Sequence, residues 1–363
     1  MIKSNDFSDD FLTGKRLLGD PAADNFVCET FKDPAKKKEL QEWLSAAKSN
    51  DQLVLLKDTF PGISFISDAG NLPSWADRKL MKAGAAFFTR HAETIMSLMG
   101  LLSLPYCYTA ANGAMVLYLS ERMRKETTKR LYETAVFVWE VMAPDAFEPG
   151  GKAFTEIMKV RLMHAAVRYY TLNSGKWDDS WGLPINQEDM AGTNLSFSLI
   201  VIRGLRLLGF TISHPDQLAF MHLWNLIGHL SGLDPEMIPE NPKMAQLLDR
   251  RISQRQFCVS SHGVELTRSL TDHIISINTN KASPGEILGL MRYLLGTDVA
   301  DMLSVDATEL PGYKLSLLRT INLIKSLKPQ GNTYTEYHKA YHKFKMSQPG
   351  DPDQILNLNK NSP

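Results

Sequence analysis

Apolar residues recur along this chain at three- and four-residue spacing, the period of helices, and few stretches alternate as strands do. Glycine and proline fall between the periodic stretches. Asp33 and Pro34 read as an N-cap and first-turn proline for a helix over KKKELQEWLSAA. Residues 50–73 read as loop and short helix, punctuated by Pro61-Gly62. Ser74 opens a long stretch to about Leu102; its Trp75, Phe87, Phe88 and run of Ala, Met and Leu mark it for burial, and Pro105 is expected to end it. Helices are then expected over residues 108–123, over Thr127–Ala143 with Pro144 as the stop, and over Gly151–Thr171 behind a Pro149-Gly150-Gly151 turn. Another covers Gly192–Leu208. A further one starts at Ser213-His214-Pro215-Asp216 and closes at Gly232, a suitable C′ residue. Asn241-Pro242 opens a basic helix reaching to about Leu270, and Ser283 to Glu286 form a capping box with proline at the first helical position. A last helix covers about Tyr313–Leu327.

The pattern predicts an all-α protein. Residues 1–31, weakly periodic, are expected as an irregular stretch within an N-terminal arm of residues 1–74 that carries one or two helices. Residues 75–345 are expected as a single large helical domain, and residues 346–363 as a mobile polar tail. There is no internal repeat.

Composition narrows the classes. Of 363 residues, 44% are hydrophobic and 22% charged, ordinary values for a globular protein with a full core. Forty basic and 40 acidic residues cancel, so the whole-chain charge suggests neither nucleic acid nor an anionic membrane as partner. The N-terminus has no apolar export segment. The best apolar run, Leu195–Phe210, is interrupted by Arg203 and Arg206, so no membrane span is expected. Cys28, Cys107 and Cys258 are far apart and form no CxxC, which argues against a zinc ribbon or a covalently attached c-type haem and fits a reduced, cytoplasmic setting.

The candidate chemistry centres on Gly151–Thr171. His164 stands mid-helix, with Val160, Arg161, Val167 and Arg168 one turn to either side. An apolar surface, a nitrogen ligand and two fixed cations suit a haem, with its axial site and two propionates. A core histidine bonded to a neighbour is the plain alternative, and surface ion pairs are the plain alternative for the arginines. On Thr127–Ala143, Arg130, Glu133, Thr134 and Phe137 share one face; there the alternative is a solvated charged face with Thr134 bonding back to its own turn. His222 and His229, seven residues apart beside Trp224, read as packing or pocket residues, and His91 and His262 are left without a role. Glu188 and Asp189 read as charges at a helix start, with Gly192 and Thr193 permitting close backbone approach.

The segments KRLYETAVFVWEVMAP, KVRLMHAAVR, WGLPINQEDMAGTNLSFSLIVIRGLRLLG and HLWNLIGHLSGL, in that order, resemble the DUF2236 oxygenase family, which holds the latex clearing proteins (rubber oxygenases) and the MpaB-type oxygenases. The resemblance covers about residues 75–270. It implies a globin-like helical core around one non-covalent haem b, with O2 as co-substrate and His164 as the iron ligand. It also implies Arg130 and Thr134 on the distal side through the RLxxT motif, and carries over Arg168 as the arginine that follows the ligand; on the physical reading of the helix, Arg161 and Arg168 would pair with the propionates. Thr193 is expected near the haem edge. In rubber oxygenases a distal lysine lies between the Arg and Thr and a catalytic glutamate lies on the preceding helix; this chain has Glu133 and Ala114 there. The implied activity is oxidation of an apolar, alkene-containing small molecule, by C=C cleavage, with Glu133 as a candidate base. Hydroxylation or peroxide-driven oxidation, with an external reductant as partner, and non-catalytic haem binding stay open beside it.

Overall fold

The computed structural model describes residues 7–120, 127–278, 282–308, 310–326 and 331–346. Regular structure among these is helical throughout, apart from one isolated antiparallel bridge between Ala110 and Phe257. The all-α expectation is met.

The centre is the helix Arg78–Leu98, capped by Asp77, whose carboxylate accepts from the amides of Lys79 and Leu80. It is the longest helix described and buries Phe87 and Phe88 completely. It lies against the helix His214–Leu230 along most of its length. Gly84 makes this possible, because a Cβ there would come within 2.6 Å of the Ala219 carbonyl. Phe87 packs on Phe220 and Phe88 meets Trp139 edge-on, both with ring centres 5.1 Å apart.

Pro105 does not end this stretch. The chain widens into a π turn at Met99–Ser103 and continues as the helix Leu104–Tyr108, with Pro105 in its first turn, where a missing N–H costs little. The buried Ser103 hydroxyl donates to the Ser196 carbonyl at 2.7 Å, tying the wide turn to its neighbour. The expected Gly192–Leu208 helix is two helices, Gln187–Phe197 and Leu199–Leu207. They are broken at Ser198, whose hydroxyl donates back to the Asn194 carbonyl. The basic helix likewise stops at Gln256 and restarts as Ser261–Ser276 with Ser260 as cap. The capping box at Ser283 and Glu286 is present.

Two expectations at the ends are corrected. Residues 7–31 are not irregular: they form Asp9–Arg16 and Pro21–Phe31, capped by Ser8 and Asp20. With Pro34–Ala46, Leu53–Thr59 and Ser64–Ser67 the described residues of the arm hold five α-helices rather than one or two helices, and Phe26, Val27, Leu40 and Trp43 enter the main core. Nor is Gly312–Ser326 the last helix. Thr333–Met346 follows and buries Tyr337 and Tyr341. The expected mobile tail, apart from Met346, lies outside the described residues.

Candidate functional site

The helix Ala153–Leu172 carries three predicted residues on one stripe: Arg161, His164 and Arg168. His164 is half-buried, with its ring turned towards the protein. Burial pushes its imidazole down to about 4, with help from Arg168 and Arg130 and against the pull of Asp20. At neutral pH it is therefore uncharged. Its Nδ1 is sealed from solvent and has no hydrogen-bond partner.

Arg168 is almost wholly buried. Its Nε donates to Asp24 Oδ1 at 2.6 Å and its Nη1 to the Ile185 carbonyl at 3.0 Å, while Nη2 has no partner. Ile185 holds φ at +50°, a strained value for a β-branched residue. A side chain on Gly19 would strike Asp24 Oδ2 at 2.7 Å and Arg168 Cδ at 3.1 Å, so the pair is built against bare backbone. Arg161 closes its fork on Asp20, through Nε at 2.5 Å and Nη2 at 3.0 Å, and its guanidinium lies 5.0 Å from the Phe65 ring centre. Both carboxylates come from the N-terminal helices. The separation in sequence hides them, and no local motif announces them.

On the helix Thr127–Val141, Arg130 is largely buried with Nη1 unpartnered. Burial lowers its proton affinity, while Tyr108 and Glu133 act the other way. The Thr134 hydroxyl donates to the Arg130 carbonyl at 3.0 Å, the back-bonding that the sequence allowed. Glu133 is half-buried beside Arg130. Arg130, Thr134 and Tyr108 line a space of about 20 Å³, large enough for one water molecule. Burial pushes the Tyr108 hydroxyl up to about 12. Arg130 is near enough to depress the proton affinity of His164, so the two helices bring their polar groups to one region.

A much larger cavity, about 580 Å³, opens along the Arg161 side of the His164 helix and falls in the range of small-molecule sites. Phe154, Ile157, Met158 and Arg161 of the His164 helix line it, together with Asp20, which Arg161 holds, and Phe65 and His229. His164 does not itself line this cavity. His229, a pocket residue as expected, leaves Nδ1 without a partner. His222 Nε2 accepts from the Asp77 amide at 3.0 Å, and the Trp75 ring stands edge-on to both histidines, 5.6 Å from each.

The remaining predicted residues lie elsewhere. Thr193 is exposed and donates to the Asp189 carbonyl at 2.9 Å, lining neither cavity. Asn186 is the cap of its helix, accepting from the Asp189 amide. Glu188 is fully buried between Arg16 at 3.3 Å and Arg255 at 2.9 Å, locking the N-terminal helix to Pro242–Gln256. His91 packs between Phe87 and Phe210, with burial holding it near 4, and His262 Nε2 lies 2.7 Å from the Ala111 carbonyl. No cluster of three or more His, Cys, Asp or Glu suited to a metal ion occurs among the described residues.

Comparison with known proteins agrees with this arrangement of helices. The chain is 27% identical over 278 residues to "Rubber oxygenase" of Streptomyces sp. (strain K30), an alignment covering 75% of this chain and 66% of that protein, just under two thirds. The solved structure titled "Structure of Latex Clearing Protein LCP in the closed state" has the same fold, with a TM-score of 0.73 at 22% identity, covering 95% of this chain and 91% of that one. The profile described as "ER-bound oxygenase mpaB/B'/Rubber oxygenase, catalytic domain" matches residues 88–322, well over half of the chain and the whole of the stretch from Arg130 to Arg255, and by that match this protein belongs to the rubber oxygenase and mpaB/B' catalytic-domain family.

Proposed function

We propose that this protein is an oxygenase that holds one non-covalent haem b and uses O2 on an apolar, alkene-containing small molecule. The observation that carries this reading is that three of the buried nitrogens left without protein partners fall together: His164 Nδ1, Arg168 Nη2 and Arg130 Nη1. Each such group costs about 1–3 kcal/mol if nothing pairs with it. Both arginines act electrostatically on His164, so the three belong to one region. A flat, apolar group with acidic arms and a metal centre fits that set. A neutral imidazole is a ligand for iron, and a guanidinium with a free nitrogen pairs with a carboxylate.

In this reading His164 is the iron ligand. Arg168, held by Asp24 and Ile185, offers Nη2 to one acidic arm. Arg161 is committed to Asp20 and the large cavity, so we assign it to substrate space rather than to the second arm. Arg130, Thr134 and the Tyr108 hydroxyl supply the polar groups around the small space, where they orient oxygen and exclude bulk water. Glu133 stands beside Arg130 as the candidate base. When bound, the haem supplies the site at which O2 is activated. Cleavage of the C=C bond, with the O–O bond broken and one oxygen atom of O2 ending on each carbon, would give two carbonyl fragments, and the apolar side chains of Phe154, Ile157 and Met158 suit a hydrocarbon substrate.

The test is His164→Ala. The parent chain is expected to show a Soret band, and the purified variant to fold, by circular dichroism, and to lose it. A full Soret band in the variant overturns the ligand assignment. Glu133 and the buried Ala114 favour a second reading, hydroxylation or peroxide-driven oxidation on the same haem. Labelled O2 separates the two. Label in both carbonyl ends supports cleavage, and label in one hydroxyl supports the second reading. A coloured protein that consumes no O2 with any alkene would be a binding protein instead.

A further inference from the structure

The large cavity beside the His164 helix is lined by donors that no protein acceptor uses. Arg161 spends Nε and Nη2 on Asp20, which leaves Nη1 without an acceptor among the described residues. His229, on the helix His214–Leu230, makes no hydrogen bond among the described residues; its Nδ1 is sealed from solvent and its Nε2 is not. Burial and the nearby charge of Arg161 lower the proton affinity of the ring, so it is neutral at neutral pH and carries one N–H. With the proton on Nε2 the ring offers a donor to the cavity. On Nδ1 the same proton would be stranded away from any acceptor.

The charges of the lining decide what those donors can hold. Asp20, Asp68 and Asp234 line the cavity together with one guanidinium, that of Arg161, and Asp20 already takes its charge. Asp234 is balanced by Lys15. An anionic group entering here finds no spare cation. The Gln187 amide is also committed: it donates to the Gly19 and Gly232 carbonyls, and its oxygen accepts from the Asp234 amide. Phe154, Ile157 and Met158 supply apolar surface in the same space.

We propose that the molecule held here, taken as substrate under the oxygenase reading on which this rests, has an apolar body ending in one neutral oxygen, a hydroxyl or carbonyl, that accepts from Arg161 Nη1 and His229 Nε2. Such an oxygen has two lone pairs and satisfies both donors at once. A plain hydrocarbon strips water from the two donors and returns nothing, and a carboxylate brings a charge that the acidic lining repels. His229 is then a specificity-determining residue, because a site built to bond an oxygen discriminates against a ligand that lacks it or carries it in the wrong charge state.

The experiment is calorimetric titration of the purified full chain with citronellol and with citronellate, an alkenyl alcohol and carboxylate of one carbon skeleton. The alcohol is expected to bind at least about tenfold more tightly. His229→Phe is expected to lose about tenfold of the alcohol affinity with unchanged circular dichroism, melting and Soret band, and His229→Gln, which keeps a donor, to recover most of it. Absence of saturable citronellol binding, equal or tighter binding of citronellate, or unchanged alcohol affinity in His229→Phe overturns the proposal. Loss of the Soret band in a folded His229→Phe chain overturns it too, by assigning the residue to the haem. The comparison of alcohol with acid on the parent chain decides the matter even if the Phe variant does not fold. Soret band and O2 uptake on the parent preparation report on the oxygenase reading separately: if either is absent while the preference for the alcohol stands, that reading falls and the oxygen-binding cavity is still supported.

Discussion

Asp20 shows how much one side chain carries here. It caps the helix Pro21–Phe31, closes on Arg161, and acts on the charge of His164. Asparagine is as good a cap, so Asp20→Asn isolates the ion pair from the cap. The carboxylate is 5% exposed and Arg161 17%, so the substitution strands a guanidinium with little access to water. A loss of about 3 kcal/mol is expected by chemical denaturation. Gly232→Ala should act through the same pair. Its φ is +93° and a Cβ would fall 2.1 Å from Asp20 Oδ2, so we expect at least about 2 kcal/mol, less than additive with Asp20→Asn. The histidine and both arginines of the site were legible as one helical stripe. Their carboxylate partners were not, because an ion pair between residues some 140 apart leaves no local pattern.

At the scale of elements, the C-terminal helix supports the back of the one that bears Arg130 and Thr134. The Tyr337 hydroxyl donates to the Trp139 carbonyl at 2.6 Å, and Tyr341 donates to Glu140 at 2.7 Å while Lys152 holds the same carboxylate at 2.8 Å. Tyr337→Phe keeps the ring packing and removes one buried donor, so about 1–2 kcal/mol should be lost in thermal or chemical melts, with helix content unchanged. A loss under a few tenths would mean the carbonyl is satisfied in another way. This helix was missed because TYTEYHKAYHKFKM is polar along most of its length. Its inward face is made of tyrosines, which look apolar only once their hydroxyls have found partners. The π turn before Pro105 escaped for a related reason. Proline forbids an interior helical position but tolerates the first turn after a widened one, and only the neighbouring helix, through Ser196, makes that turn worthwhile.

For the whole molecule, buried histidines give stability a pH dependence. His164 and His91 are held near 4 when folded, against about 6.5 in the unfolded chain. Between those values the unfolded state binds more protons. Stability is therefore complete above about pH 6.5 and drains away as pH falls towards 4, by an amount on the order of 3 kcal/mol for each ring. The buried Glu188 and the partly buried Asp24, Asp189 and Asp249, held above their ordinary range by desolvation, work in the opposite direction from about pH 4 upward. His91→Phe separates the contributions, since that ring already sits among aromatics. The slope of unfolding free energy with pH between 4 and 6.5 should fall by close to one proton. An unchanged slope would show that His91 does not titrate in this window.

What the sequence determined by itself was whatever depends on near neighbours: the helical period, most caps and stops, the stripe of His164 with its arginines, and the order of motifs that marks the family. Tertiary structure alone decided which carboxylates close on those arginines, that the N-terminal helices belong to the core, and that the helix Gly312–Ser326 leaves Leu317 and Ile321 exposed. Helical pattern and capping are energies between residues a few positions apart, so a linear reading holds them. Burial, ion pairing and cavity shape arise between segments that meet only after the chain has folded, and their partners are chosen by packing rather than by distance along the chain.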